Sequence, residues 1–127
     1  MISYSHDQFH HRIVSIHDKD VCIGEFRIYG TFDTGTPCDM TISINEEYRG
    51  KGLSRVLIKR MVEEIKREKV RPDQLLCIDV DASNGFWDYI GMKPNRYGLD
   101  YKGKRNVECR GYEKVILVSE LERFCNK

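Results

Sequence analysis

The chain has 127 residues, of which 40% are hydrophobic and 32% charged, and its formal net charge is +1. That length suits one hydrophobic core, so we expect a single domain over residues 1–127. The sequence has no apolar run of about 18 residues and no signal-peptide pattern at its start, which predicts neither a membrane span nor secretion. Five cysteines without paired spacing indicate reduced thiols in a cytoplasmic or nuclear protein.

Charge is distributed unevenly along the chain. Residues 1–48 contain eight acidic and three basic side chains, whereas residues 49–127 contain twelve acidic and eighteen basic ones. A basic half suits a ligand with several phosphates, and an acidic half suits a cationic partner such as an amine. Uneven scatter over a solvated surface explains the same counts, so charge alone does not choose between these interpretations.

The first part of the chain is predicted to be mainly extended. Residues 1–10 indicate at most a short strand and a polar segment, whereas residues 12–17 and 21–29 predict two strands joined by a tight polar turn. A loop rich in Gly, Thr and Asp follows. Residues 40–44 alternate between apolar and polar side chains, which predicts a half-buried strand.

The second part alternates helices and strands. Apolar side chains recur at helical spacing over residues 53–67, with charged side chains on the other face, which predicts an amphipathic helix. The continuous apolar run at 75–80 is typical of a buried parallel strand. A short helix at 82–90, a polar basic segment and a last strand at 115–118 complete an α/β order with a mixed sheet.

The turn between the strand at 40–44 and the helix at 53–67 has the composition of a phosphate site. It reads Tyr48-Arg49-Gly50-Lys51-Gly52-Leu53-Ser54. The first N–H groups of a helix have no intrahelical partner and lie at the positive end of the helix dipole. Glycines allow an anion to approach those groups without meeting a Cβ atom. The alternative is a helix that follows glycines by coincidence and binds nothing.

Two common phosphate loops do not match this turn. The P-loop pattern is absent, and the dinucleotide pattern Gly-x-Gly-x-x-Gly fails at its third glycine, where Arg55 stands. The pattern Arg49-x-x-Gly52-x-Ser54 instead resembles the Arg/Gln-x-x-Gly-x-Gly/Ala motif of the GNAT superfamily of N-acetyltransferases. Ser54 is a small departure from that motif, and its hydroxyl could itself bind phosphate.

A second segment, residues 75–92, resembles the same superfamily. It consists of an apolar strand, a polar helix start, the aromatic pair Phe86-Trp87 and the pair Gly91-Met92, where the family has Gly-Phe. The two segments follow each other in the order and at the spacing that the family shows. The chain is therefore identified from its sequence as a member of the GNAT superfamily.

The resemblance, which covers about residues 12–120, implies the fold. The expected class is α/β, with a GNAT-like mixed, mostly antiparallel sheet, a central parallel strand pair, flanking helices and a minimal N-terminal region. Family members usually carry one or two helices between their first two strands. The sequence leaves scarcely any room for them before Arg12, so either those helices are absent or the first strand is minimal.

The resemblance also implies acetyl-CoA as cosubstrate, and no metal. In the family the turn holds the pyrophosphate of acetyl-CoA, and the pantetheine arm lies along the preceding strand. Carried over to this chain, these roles assign cofactor binding to residues of the strand and the turn, which are Ile42, Ser43, Ile44, Arg49, Gly50, Lys51, Gly52, Leu53 and Ser54. The resemblance adds Asn84 and Trp87 from the second helix.

The family transfers acetyl directly to a primary amine, which must lose a proton to a base before it attacks. Asp39 and Glu25, on the strands that face the substrate, are the two candidate bases. Many members place a tyrosine as general acid where this chain has Trp87, whose indole proton is not practically transferable. Tyr89 is the candidate replacement, and an exposed surface tyrosine is the alternative interpretation.

The expected function is therefore acetyl transfer to a primary amine of a protein, peptide or polyamine-like acceptor, by a monomer or homodimer. The alternative is an acyl-CoA-binding module of the same fold with weak or no turnover, for which Trp87 is the main argument. The basic segment 93–111 suggests a nucleic-acid binder, but the near-neutral net charge disfavours it.

For two further groups of side chains, a structural role competes with a role in metal binding or catalysis. His6 and His10 have the i, i+4 spacing of helical metal ligands, with His11 adjacent, but no helical pattern surrounds them, which favours a surface cluster. Cys77 lies in an apolar strand without a neighbouring histidine, which favours core packing over a role as nucleophile.

Overall fold

The computed structural model describes residues 1–32, 36–78, 85–100, 102, 104 and 112–126. The strands in these residues are β1 (Ile2–His6), β2 (Arg12–Asp18), β3 (Val21–Tyr29), β4 (Cys38–Ile44), β5 (Leu75–Ile78), β6 (Lys93–Pro94) and β7 (Lys114–Leu117). The helices in the same residues are α1 (Leu53–Arg67), α2 (Phe86–Tyr89) and α3 (Val118–Cys125), and a 3₁₀ turn at Glu46–Tyr48 precedes α1.

The strands form one sheet in the order β1-β2-β3-β4-β5-β7-β6. β4 and β5 are parallel, and every other described pair of neighbours is antiparallel. Parallel strands need a crossover connection, and α1 lies within the one that joins β4 to β5. The expectation of a mostly antiparallel sheet with a central parallel pair and flanking helices is confirmed.

The N-terminal region is short. β1 pairs with β2 along its whole length, from Ile2 opposite Ile16 to His6 opposite Arg12. The connection, residues 7–11, contains no helix. Of the two alternatives left open by the sequence, the chain therefore lacks helices between its first two strands, and its first strand is five residues long.

α1 packs on one face of β2, β3 and β4, which we call the inner face. Successive side chains of a strand point to opposite faces of the sheet, so every second side chain points toward α1. The main core where they meet includes Val14, Phe26, Met40, Leu57 and Met61. In the described parts of the chain, the helices fall short of the length and hydropathy that a membrane crossing needs.

The opposite, outer face of β2, β3 and β4 is mostly polar. Its side chains, all half-buried or exposed, include Ser15, Glu25, Arg27, Tyr29, Asp39, Thr41 and Ser43. Farther along the sheet, around β5 and β7, a second and smaller core includes Leu75, Cys77, Tyr112 and Val115. Polar side chains therefore remain accessible on the part of the sheet that lies before β5.

Two elements differ from the sequence-based prediction. α2 begins at Phe86 rather than at residue 82, and residues 79–84 lie outside the described part of the chain. The last strand ends at Leu117 and is followed by α3. The sequence did not predict this helix, because the apolar run at 115–118 indicated a strand only. The chain turns into a helix there because Glu120 accepts a hydrogen bond from the Leu117 N–H at 3.1 Å and satisfies one of the donors at the helix start.

Arg12 connects β2 to the C-terminal end of α1. Its side chain is buried, donates to both carboxylate oxygens of Glu68 at 2.9 and 3.0 Å, and lies 4.0 Å from the centroid of the Phe32 ring. Burial opposes ionisation of Glu68, but hydrogen bonds from Arg12 and Tyr4 outweigh it and hold the pKa of Glu68 below its ordinary value. This cluster lies at the end of α1 away from the glycine-bearing turn.

Candidate functional site

The described pairing of β4 with β5 extends to Asp39. The described pairing between the two strands has two positions, Cys38 opposite Leu76 and Asp39 opposite Cys77. β4 continues to Ile44 with β3 as its partner. A cleft of about 930 Å³ lies against this part of β4, and that volume is within the range of small-molecule sites.

Residues from several elements form the walls of the cleft. It is lined by Tyr29, Asp39, Met40, Thr41, Ile42, Ser43, Ile44, Tyr48, Arg49, Gly50, Gly52, Leu53, Ser54, Ile78, Phe86 and Trp87. The outer strand face, the turn before α1, the end of β5 and the start of α2 therefore meet at one place.

The N-terminus of α1 opens into this cleft without a cap. Its N-cap residue is Gly52, no side chain caps the helix, and the first turn contains no acidic residue. Val56 is the first helical residue whose N–H is bonded, to the Gly52 carbonyl at 3.3 Å. Within the described residues, the N–H groups of residues 53–55 have no acceptor and lie at the positive end of the helix dipole.

Two glycines shape the turn before the helix. Gly50 has a φ of +79° and Gly52 a φ of +77°, in the left-handed region that other residues disfavour. A Cβ atom at either position would meet no heavy atom within 4 Å, so the backbone there faces open space. A ligand can therefore approach the helix N–H groups closely, which is the arrangement of an anion-binding site.

The polar side chains of the turn have partners within the protein. Arg49 donates its Nε–H to the Ile44 carbonyl at 3.1 Å and so ties the turn to β4. Tyr48 donates its hydroxyl to Asp18 at 2.9 Å, and this hydrogen bond raises the pKa of Tyr48. The Lys51 ammonium lies 5.3 Å from the centroid of the Tyr48 ring. The turn thus carries two cationic side chains beside its open backbone.

The structure brings most of the predicted cofactor-binding residues together. Those that line the cleft are Ile42, Ser43, Ile44, Arg49, Gly50, Gly52, Leu53, Ser54 and Trp87. Trp87 is 5% exposed, and its ring belongs to the main core as well as to the cleft wall. Lys51 is on the turn but does not line the cleft, and Asn84 lies outside the described residues.

The three catalytic candidates lie in different places. Asp39 is exposed and lines the cleft. Glu25 forms an ion pair with Arg27 on β3 and borders a smaller depression of about 320 Å³. Tyr89 is 70% exposed, and its ring packs edge-on against Phe124 with 5.6 Å between the centroids. Of the three, Asp39 is the one in the cleft.

Sequence reasoning did not identify Tyr29 and Thr41 as residues of the cleft. Alternation along β3 places Tyr29 on the same face as Glu25, and this much the sequence contains. Its position beside the site follows from the register of β3 with β4, which sets Tyr29 opposite Asp39. Register depends on pairing between distant segments, so no local pattern identified this neighbour.

The histidines near the N-terminus have structural partners. His11 lies 3.2 Å from Asp7, and its ring packs edge-on against Tyr29 at 4.6 Å between centroids. His6 and His10 have ring centroids 6.2 Å apart. Among the residues that the structure describes, no three side chains of the metal-binding types come together as a site.

No protein-family model matches the chain, and no curated protein sequence matches it. Its structure is similar to a GNAT-family protein from Desulfovibrio desulfuricans, with 17% identity, a TM-score of 0.59, and 85% of this chain and 69% of that chain covered. It is similar to spermidine N-acetyltransferase from Vibrio cholerae in complex with CoA and spermine, with 20% identity, a TM-score of 0.57, and coverage of 92% and 70%.

A third similar structure is a ribosomal-protein-alanine N-acetyltransferase from Escherichia coli, with 17% identity, a TM-score of 0.50, and coverage of 82% and 64%. Identities of this size establish a common fold rather than a common reaction, because one fold hosts many functions. The comparisons agree with the sheet order and the central parallel pair described above. This chain has the fold of the GNAT superfamily of N-acetyltransferases.

Proposed function

We propose that the chain is an N-acetyltransferase that moves the acetyl group of acetyl-CoA directly to a primary amine. One observation carries the proposal: a single cleft joins the uncapped N-terminus of α1 to the part of β4 that extends beyond its described pairing with β5. The helix N-terminus suits a diphosphate, and the strand suits an extended amide chain. CoA carries both groups in one molecule.

The turn and the helix start are proposed to bind the diphosphate. Its oxygens would accept hydrogen bonds from the N–H groups of Gly52, Leu53 and Ser54, three residues that line the cleft. A helix N-terminus alone stabilises a nearby exposed charge by about 0.3–1 kcal/mol. Arg49 and Lys51, on the same turn, add attraction that the dipole alone does not supply.

The pantetheine arm is proposed to lie along β4 at Ile42, Ser43 and Ile44. An extended chain binds a strand through main-chain hydrogen bonds, as peptides do when they add to a sheet. Trp87 supplies an apolar wall on the other side of the cleft. A main-chain N–H of this stretch would then stabilise the negative charge that develops on the thioester oxygen.

Asp39 is proposed as the base. It lies in the cleft on the exposed face of β4, where it can take a proton from the acceptor ammonium directly or through one water. The neutral amine forms a C–N bond with the thioester carbon, the C–S bond breaks, and the proton that the nitrogen then loses passes through water to the CoA thiolate. Glu25 is the second candidate, although its ion pair with Arg27 holds it one strand away.

The accessible outer face favours an extended acceptor. The sheet beside Asp39 is polar and partly exposed, and no helix lies between β1 and β2 to wall off a closed pocket. We therefore propose that the acceptor is a primary amine of a protein, a peptide or a polyamine-like chain. Two of the similar structures, which are named for spermidine and for a ribosomal-protein alanine, support an amine acceptor.

Calorimetry with CoA tests the binding half of the proposal. Gly52→Ala places a Cβ atom at a positive φ in the turn, and we expect CoA to bind roughly 10-fold more weakly. Gly98→Ala is the matched control, because Gly98 also has a positive φ, of +62°, but lies outside the cleft. A wild-type protein that does not bind CoA would refute the proposed function.

Turnover of acetyl-CoA over a panel of polyamines, peptide N-termini and peptide lysines tests the reaction. Two observations support a second candidate, an acyl-CoA-binding module with weak or no turnover: Trp87 offers no transferable proton, and Tyr89 lies outside the cleft. CoA binding without acetylation of any amine in the panel would favour this second function.

A further inference from the structure

The Asp39 carboxylate lies beside the buried thiol of Cys77. Cys77 lies opposite Asp39 on β5, at the last described position of the pairing between β4 and β5. Its side chain is fully buried in the smaller core with Tyr112 and Val115. The Cys77 sulfur lies 3.2 Å from the Asp39 Oδ1 atom and 3.4 Å from the carbonyl oxygen of Cys38.

The carboxylate is the stronger of these two acceptors. A thiol has one proton to donate, and hydrogen bonds to an ionised acceptor are roughly twice as strong as those to a neutral one. An ionised carboxylate can only accept, so the thiol is the donor in this contact. The strand pair fixes both backbones and holds the Cys77 sulfur within hydrogen-bonding distance of Oδ1.

We propose that Cys77 is a positioning residue, whose thiol holds the Asp39 carboxylate in the orientation in which it receives the proton of the acceptor amine. The inference rests on the proposed function, in which Asp39 is the base. It gives a buried cysteine on a core strand a role in the reaction without making it a nucleophile. Cys77 acts through Asp39 and does not itself touch the amine.

Charged and titratable groups reach the surroundings of Asp39 and Cys77 from several elements, since Tyr112 shares the smaller core with Cys77 and His11 packs edge-on against Tyr29. Tyr29 lies directly opposite Asp39, and the Arg27–Glu25 ion pair lies on the same face. Hydrogen bonds from Arg27 to Glu25 and to Tyr29 hold the guanidinium on β3 and raise its pKa. The described contacts of these β3 groups do not involve Cys77, so we expect its replacement to leave them in place.

The pH dependence of kcat/KM for acetyl transfer tests the inference. In Cys77→Ala the carboxylate loses a donor that favours its ionised form, so we expect the acidic limb of the profile to move up by roughly 0.5–1 pH unit. We expect kcat to fall by roughly 3- to 10-fold and the KM for acetyl-CoA to stay unchanged, because the turn before α1 is not altered. Cys77→Ser keeps a donor at the same position and should restore the wild-type limb.

Cys38→Ala is the matched control. Cys38 is also buried, next to Asp39 in sequence, but its side chain belongs to the main core on the inner face. We expect its pH profile to match that of the wild type, and thermal unfolding of all variants shows whether they fold. A Cys77→Ala profile that coincides with the wild-type profile would overturn the inference, as would a Cys77→Ser profile that matches Cys77→Ala.

Infrared spectroscopy tests the same contact without turnover. The S–H stretching band of Cys77, assigned by difference against Cys77→Ser, should shift as Asp39 ionises, and this shift should vanish in Asp39→Asn. A band that does not respond to pH overturns the inference even in an inactive protein. Failure of the proposed function would be recognised separately, because the wild-type protein would then neither bind CoA nor acetylate an amine.

Discussion

Replacing Ser54 by Asp places a carboxylate in the first turn of α1, where we propose that the diphosphate of CoA binds. In the free protein this change is favourable, because α1 has neither a side-chain cap nor an acidic residue in its first turn. A negative charge at such a helix N-terminus stabilises the fold by about 0.3–1 kcal/mol. For a domain of this size we expect the melting temperature to rise by roughly 1–4 °C.

For CoA the same carboxylate is repulsive. Two unit charges about 4–5 Å apart near a protein surface interact by roughly 3–4 kcal/mol before salt screens them. If solvent and salt remove about half of that energy, the loss is roughly 2 kcal/mol, or about a 30-fold weaker Kd. The substitution should therefore raise stability and lower CoA affinity, and added salt should reduce both effects.

Thermal unfolding and calorimetry at low and high salt measure the two effects. Ser54→Asn is the control, because it has nearly the same size and shape as Asp but adds no charge. We expect this variant to bind CoA within a few-fold of the wild type. A Ser54→Asp protein that is more stable yet binds CoA as tightly as the wild type would show that no phosphate group lies at the start of α1.

Three other outcomes are expected. Asp39→Asn should lower kcat by roughly 10²- to 10⁴-fold without changing the Kd for CoA, and unchanged kcat and pH dependence would exclude it as the base. Tyr89→Phe should leave kcat and KM unchanged, because Tyr89 lies outside the cleft, and a large loss of kcat would show that it reaches the substrate. Glu68→Gln should lower the free energy of unfolding at neutral pH by about 2 kcal/mol, because the buried Arg12 charge loses its partner and Glu68 itself is 31% exposed. Since the folded-state pKa of Glu68 is lowered, the wild-type advantage is complete above the ordinary glutamate pKa and is lost as the pH falls through the folded-state value. Urea unfolding near neutral and at acid pH measures this difference, and an equal difference at both pH values would contradict the linkage.

Local features could be predicted from the sequence because they depend on neighbouring residues. The glycines of the turn, the apolar periodicity of α1 and the two-residue alternation of β4 each describe a short segment. Their order predicted a mixed sheet with a parallel pair, because strand, helix and strand in succession require a crossover. The weaker predictions lay where two local patterns overlap, as at Leu117, where an apolar strand leads directly into α3.

The tertiary structure decided which side chains share the cleft. From the sequence, Asp39 and Glu25 were equal candidates for the base and Tyr89 was the candidate acid, yet of these three only Asp39 lines the cleft. The reason is physical: the register of β3 against β4 and that of β4 against β5 depend on pairing between segments far apart in the chain. The contacts of Asp39 with Tyr29 and Cys77 arise from that pairing. The sequence by itself determined most of the elements and the glycine-bearing turn, and long-range strand pairing determined which side chains lie beside that turn.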